Sequence, residues 1–367
     1  MYTFELSVQG ARHRAAGTPC QDSSGTRSLT VPGLGRCVCL AVADGLSSAP
    51  RSEQGAAAAV EAFGDCVTNE LQALSTDFLD LGQEQREQEL LDIARGGVES
   101  GLAAVVKLAN QEKRPVSDYD TTLCAAVLCE SGLAAAVNIG DSGCVALFDD
   151  GTYKFVTRRD KGTEANSVYP LRCTEKWSGQ SLHGVVGLVL ATDGILDLFV
   201  SDAATSNMVF WPFAEQILRP LSSQADVMAL RAGWDDLLKG QVKYYKDLTL
   251  REVVEDDLTI AVAAADAEPV QNALKRVAWP GAEAFRQELH ARRRRAWPGL
   301  YGGESAPASE GGGVSTANAT KNRAQNNGKP NKGKQNNGKP NKGKPNRMRK
   351  RKPHAQAKPP EGPRKGG

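Results

Sequence analysis

Short apolar runs, each closed by a turn signal, recur through the first 265 residues. Cys37–Ala43, Leu123–Cys129, Leu133–Ile139, Cys144–Phe148, Tyr153–Thr157, Val185–Ala191 and Leu258–Ala264 have the length and composition of strands. Glu130-Ser131-Gly132 and Asp149-Asp150-Gly151 supply hairpin turns between neighbouring runs. The three runs from Leu123 to Phe148 therefore predict an antiparallel meander.

Longer stretches with helical spacing interrupt the strands. Ser52–Leu71, with Ser52 as N-cap, and Arg86–Asn110 are predicted as the main helices. Shorter ones fit Ile195–Phe199, Phe213–Leu218 and Gln224–Leu238, and a further one fits Ala282–Trp297. Helices inserted among mainly antiparallel strands predict an α+β fold rather than a doubly wound parallel sheet.

Charge divides the chain more sharply than hydropathy does. Residues 301–367 hold 16 Lys and Arg against 3 acidic residues, a net of +13. The preceding 300 residues hold 29 against 40, a net of −11. Gln325–Lys334 reads QNNGKPNKGK and Gln335–Lys344 repeats it. A segment so poor in large apolar residues cannot bury a core, which predicts disorder. The expected organisation is a catalytic-sized domain over 1–265, a basic helical extension over 266–300 and a disordered basic tail over 301–367.

No apolar run reaches the roughly 18 residues of a spanning helix, and the first residues lack the pattern of a signal peptide. The eight cysteines include no CxxC pair. Cys37 and Cys39 face the same way on a strand and read as reduced core residues. The expected location is the cytoplasm.

Candidate chemistry lies in carboxylates beside glycine at the ends of apolar runs. Asp44-Gly45 follows the run ending at Ala43, Asp193-Gly194 the run ending at Ala191, and Gly140-Asp141 the run ending at Ile139. Asp256-Asp257 precedes Leu258, and Asp22 belongs to Cys20-Gln21-Asp22-Ser23. Asp-Gly is also a common plain turn. Several such ends meeting at one rim would form an oxygen-rich cavity suited to Mg²⁺ or Mn²⁺. Four scattered histidines offer no zinc-type pairing.

The ordered series Gln21-Asp22-Ser23, Val42-Ala43-Asp44-Gly45, Asp120-Thr121-Thr122, Gly140-Asp141-Ser142, Ala191-Thr192-Asp193-Gly194 and Asp256-Asp257-Leu258-Thr259 resembles the motifs of metal-dependent type 2C Ser/Thr protein phosphatases. The opening, Gly10 to Asp22, is similar to a bacterial branch of that family. The resemblance implies a four-layer α-β-β-α sandwich of two mainly antiparallel sheets flanked by helices. It also implies hydrolysis of phosphoserine and phosphothreonine in proteins by a water activated between two Mn²⁺ or Mg²⁺ ions. By that resemblance Asp44 bridges the metals, the Gly45 carbonyl binds one, Asp193 and Asp256 complete the pair, Asp141 serves a looser third ion and Asp22 holds water. Phosphorylated proteins are the implied substrates and a Ser/Thr kinase the implied counterpart in signalling.

Departures from the family pattern leave two roles to be filled. Leu46 stands where a proton donor is common, which leaves the acid's role to another residue, His13 being the candidate, or to water. Gly17 stands where the phosphate-gripping Arg is common, which makes Arg14, ahead of Arg12 and Arg51, the candidate replacement. Gly143 replaces a frequent Arg. These gaps also fit a second reading, a non-catalytic phosphatase-like binding module. The basic tail fits contact with nucleic acid or another polyanion.

Overall fold

The computed structural model describes residues 1–74, 77–160, 168–201, 205, 207–219 and 256–301, all within one compact unit, Met1–Ala306. The helix expected at Gln224–Leu238 and the repeats of the tail lie outside the described residues.

Among the described residues, ten strands form two five-stranded antiparallel sheets. The first has the order β1 (Tyr2–Val8), β10 (Leu258–Ala264), β9 (Val185–Ala191), β6 (Gly143–Phe148), β7 (Tyr153–Phe155). The second has the order β2 (Ser23–Val31), β3 (Gly35–Ala43), β4 (Leu123–Cys129), β5 (Ala134–Ile139), β8 (Ser178–Leu182). Helices cover both outer faces, so the architecture is the expected four-layer α-β-β-α sandwich.

The layers explain why the central strands read as unbroken apolar runs. On β3, Val38, Leu40 and Val42 point into the space between the sheets, where they meet Leu188, Leu190 and Ala261. Cys37, Cys39, Ala41 and Ala43 point the other way, toward α2 (Ser52–Ala73) and α4 (Gln83–Glu112). With both faces buried, the alternation of a half-solvated strand disappears. Small residues such as Ala126, Ala134, Ala136, Ala146 and Ala263 fill much of the middle layer.

Two expectations are corrected. The run Leu123–Phe148 is not a three-stranded meander. β4 and β5 form a hairpin in the second sheet, but β6 pairs with β9 and β7 in the first. The connection is only Gly140-Asp141-Ser142, and Gly140 has φ +96°. This sharp turn carries the chain across the seam between the sheets and leaves Asp141 on it. Ser52 is not an N-cap: Arg51 holds that place without a side-chain cap bond, and the buried Ser52 hydroxyl accepts from Gln21 Nε2 at 2.8 Å.

The segment after residue 265 belongs to the same core. Beyond α5 (Asp193–Phe199) and α6 (Trp211–Leu218), helices α7 (Ala267–Arg276) and α8 (Ala282–Ala296) lie on the outer face of the first sheet. Val270, Ala273, Phe285 and Leu289 are buried there. Phe210, Trp279 and Phe285 form an aromatic cluster with centroids 5.4–5.7 Å apart. Phe285→Ala is expected to cost about 3 kcal/mol of stability, the usual range for a buried Phe truncation. Urea unfolding measures it, and a cost below about 1 kcal/mol would show that α8 is a detachable arm.

Candidate active site

The site forms where strand ends from both sheets reach one rim. β3 delivers Asp44, whose carbonyl accepts from Thr122 N at 2.8 Å and from the Thr121 hydroxyl at 3.0 Å. Asp44 N donates to Thr122 Oγ1 at 3.0 Å, and Leu46 N donates to Asp120 O at 3.0 Å. The Asp120-Thr121-Thr122 motif is therefore a backbone clamp for the Asp44 turn. Asp120 is itself held by a two-pronged contact from Arg172, at 2.7 and 3.0 Å.

Close approach explains the glycines that follow two of the carboxylates. A Cβ on Gly45 would lie 2.6 Å from Gln21 O and 2.7 Å from Ser52 Cβ. One on Gly194 would lie 2.2 Å from Asp257 O. Neither contact tolerates a side chain.

Asp193 opens α5, directly after β9, and Asp141 lies in the β5–β6 crossover. Carboxylate oxygens of Asp44, Asp141 and Asp193 all lie within 4.8 Å of one another. Asp22 joins from the start of β2 by accepting from the Thr192 hydroxyl at 2.8 Å. Thr192 Oγ1 in turn accepts from Thr259 N at 3.3 Å. One threonine thus ties β2 of the second sheet to β9 and β10 of the first.

The electrostatics match a crowd of anions. Burial pushes Asp22 up to about 7, opposed by its bonds to hydroxyls. Burial and then Asp141 push Asp193 up to about 8. Asp44 is driven well above the carboxylate range by burial and by Asp22, Asp193, Asp141 and Asp256. An all-oxygen donor set with this uncompensated charge fits a hard divalent cation and not zinc.

The remaining candidates separate. Asp256 is outside the three-carboxylate group; it is partly exposed and pairs with Arg12 Nη2 at 3.0 Å. It still adds to the repulsion felt by Asp44 and Asp193. Asp257 is buried and accepts from Gly10 N and Gln21 N, each at 2.6 Å, with His13 Nδ1 at 2.8 Å. His13 is thereby engaged in the latch that holds the N-terminal loop. Arg14 donates to Gln9 O at 2.6 Å, and Arg51 pairs with Glu112 at 3.3 Å. Of the three arginines considered for phosphate, Arg12 is the one in contact with an acid of this site.

The departures also have local causes. Gly17, with φ +68°, ends helix α1 (Ala11–Ala16). A Cβ on Gly143 would lie 2.2 Å from the Phe155 ring, which leaves no room for arginine there.

Sequence reasoning missed the roles of Thr192 and Arg159, and named Asp257 only as the neighbour of Asp256. Arg159 is buried; its Nε donates to Asp141 O at 2.8 Å and its Nη2 to Asp197 Oδ1 at 2.6 Å. Thr192 was marked only by its place before Asp193. Arg159 carried no motif signal at all.

Residues 9–234 match the Protein phosphatase 2C family. The chain belongs to that family. With it, the chain belongs to the protein serine/threonine phosphatases. The matched span includes Asp22, Asp44, Asp141 and Asp193, and ends before Asp256. Among solved structures the chain is similar to a serine-threonine phosphatase 2C from Toxoplasma gondii, with 15% identity over 71% of this chain and 93% of that chain, at a TM-score of 0.48. It is also similar to the serine/threonine phosphatase Stp1 from Staphylococcus aureus, with 14% identity over 72% and 95%, at 0.44. No curated protein matches the chain significantly.

The raised carboxylates give a signed pH prediction for the metal-free phosphatase. Asp22 and Asp193 hold their protons to about 7 and about 8 when folded, but release them near the ordinary carboxylate value when unfolded. The native state therefore binds more protons between these values, and their contribution to stability falls as pH rises. In EDTA, Asp44→Asn is expected to raise Tm at pH 8 relative to wild type, with a smaller gain at pH 5. A larger gain at pH 5 would contradict the charge crowding.

Proposed function

We propose that this phosphatase hydrolyses phosphoserine and phosphothreonine with divalent metal held by Asp44, Asp141 and Asp193. The observation that carries this reading is the convergence of those three carboxylates from both sheets. The Gly45 carbonyl and Asp256 are the further candidate ligands, Asp256 after release from Arg12. Bound Mn²⁺ or Mg²⁺ would supply positive charge for the phosphoryl oxygens and a more acidic water.

The chain's own groups supply the rest. Asp22, fixed by Thr192, is placed to accept a proton from an attacking water. Arg12 stands beside the anionic group and offers paired donors to phosphate. His13 bound to Asp257 positions the Gln21-Asp22 segment and is not our choice for the leaving-group acid. With Leu46 unable to donate, solvent protonates the departing Ser or Thr oxygen. The intact carboxylate group gives no support to a non-catalytic module.

No helix of the described residues is long and apolar enough to cross a membrane. We read the protein as a cytoplasmic signalling enzyme opposing a Ser/Thr kinase, with a tail whose net +13 attracts polyanions.

Phosphopeptide turnover should vanish in EDTA and return with Mn²⁺ or Mg²⁺. Asp44→Asn and Asp193→Asn should each reduce it by about 100-fold or more, since loss of outer-sphere support alone costs metal sites about 10–100-fold. Full activity in EDTA would sink the metal reading.

Arg12→Ala should lower kcat/KM for phosphopeptides by about 10- to 100-fold, as expected for one charge-assisted contact. Arg14→Ala should be near neutral. The reverse order would return the phosphate grip to Arg14.

A further inference from the structure

The cysteines are not equivalent once the strands are in register. Cys37 and Cys129 are direct partners on β3 and β4. Both are buried, and both face the α2–α4 layer. The Cys37 thiol donates to Cys129 Sγ at 3.0 Å, the one sulfur–sulfur hydrogen bond among the described residues. By contrast, Cys39 Sγ is surrounded by oxygens from Arg27, Gly64 and Thr68.

The backbone shows which kind of pair this is. Glu130 N donates to Arg36 O at 2.8 Å, one residue outside the pair, while Cys129 N turns away to Leu133 O at 2.8 Å. Cys37 and Cys129 therefore occupy a non-hydrogen-bonded position of the antiparallel ladder. Such partners have Cα atoms about 4.5 Å apart with side chains drawn together. Disulfides span about 4.4–6.8 Å between Cα atoms. The ladder already holds this separation, so cross-linking requires rotation about side-chain bonds and no shift of strand register.

We infer that Cys37 and Cys129 are a dithiol site that hydrogen peroxide converts to a cross-strand disulfide. One thiol gives up its proton and its thiolate attacks a peroxide oxygen; the O–O bond breaks, a sulfenic acid forms, and the departing hydroxide takes up that proton and leaves as water. The second sulfur attacks the sulfenic sulfur, the S–S bond forms, the S–O bond breaks and a second water leaves. Two thiols and one peroxide thus give one disulfide and two waters.

Access controls the rate. The bond from Cys37 and burial hold the Cys129 thiol well above its ordinary value, so the closed state reacts slowly. Both sulfurs lie under the α2–α4 layer, in the same cluster as Phe78 of the short helix α3 (Asp77–Asp80), whose Leu79 approaches Gly33 in the β2–β3 turn. Gly35, at the other side of that turn, is two residues from Cys37, and its carbonyl lies 4.0 Å from the Cys37 sulfur. Local opening of the helical layer over the pair would expose it without unfolding the sheets. Cys37 is seven residues from Asp44 on an extended strand, about 23 Å away. The bond would thus stiffen the end of the second sheet opposite the carboxylates.

The full chain is treated with hydrogen peroxide, with and without sub-denaturing urea, then alkylated and mapped by mass spectrometry without reduction. The expected product is a Cys37–Cys129 linked peptide, formed faster in urea. It should bring a Tm higher by about 5 °C, reversed by dithiothreitol. Cys37→Ser and Cys129→Ser should each abolish both the linked peptide and the gain in Tm. If either variant fails to fold, the wild-type peptide map decides alone. Recovery of both cysteines as free thiols or sulfinic acids in both conditions overturns the inference. So does linkage of either to a different cysteine.

Discussion

Mutual repulsion among carboxylates governs the design of this protein. Asp44, Asp141 and Asp193 are held so close that burial and their neighbours oppose ionisation of Asp44 and Asp193. No isolated strand end would keep that arrangement. It persists because each acid is anchored through its backbone. Thr121 and Thr122 grip Asp44, Arg159 grips the Asp141 carbonyl, and the start of α5 fixes Asp193. The sandwich provides the rigid support for this strain, and a divalent cation bound there would relieve it.

The same logic explains the polar groups buried behind the rim. Asp257 is a carboxylate with two backbone amides and an imidazole as partners, so its charge is satisfied inside the fold. Burial chiefly raises the proton affinity of Asp22, the neighbouring Asp257 adds to it, and the hydroxyl partners oppose it. Two acids near one another thus sit in different surroundings. The first suits a fixed latch and the second a group that exchanges protons.

Much of this was legible in the sequence, for identifiable reasons. Strands β4, β9 and β10 were found with both ends correct because their two faces are buried and their runs are continuous. Strands β1, β2 and β8 went unseen; each is an edge strand, and β2 and β8 are largely polar. The carboxylate motifs were visible because Asp-Gly at a strand end is a local feature. The partition of β5 and β6 between sheets was not, since a three-residue turn looks alike whether it closes a hairpin or crosses a seam. Nor was the difference between Asp256 and Asp257. Adjacent identical residues carry no local mark of which one turns inward to His13 and which one outward to Arg12.

The pairing of β1 with β10 places Tyr2 opposite Ala264. β1 can find this ladder partner only after nearly all of the domain has left the ribosome. Asp257, at the entrance to β10, is also what anchors Gly10 and Gln21 near the start of the chain. The rim carrying Asp22 is therefore completed by residues from both extremes of the fold, a long-range closure of the kind that makes folding slow. Synthesis itself acts as a safeguard here: a truncated chain that ends before β10 carries most of the motifs in its sequence, yet it lacks the clasp that sets them in place.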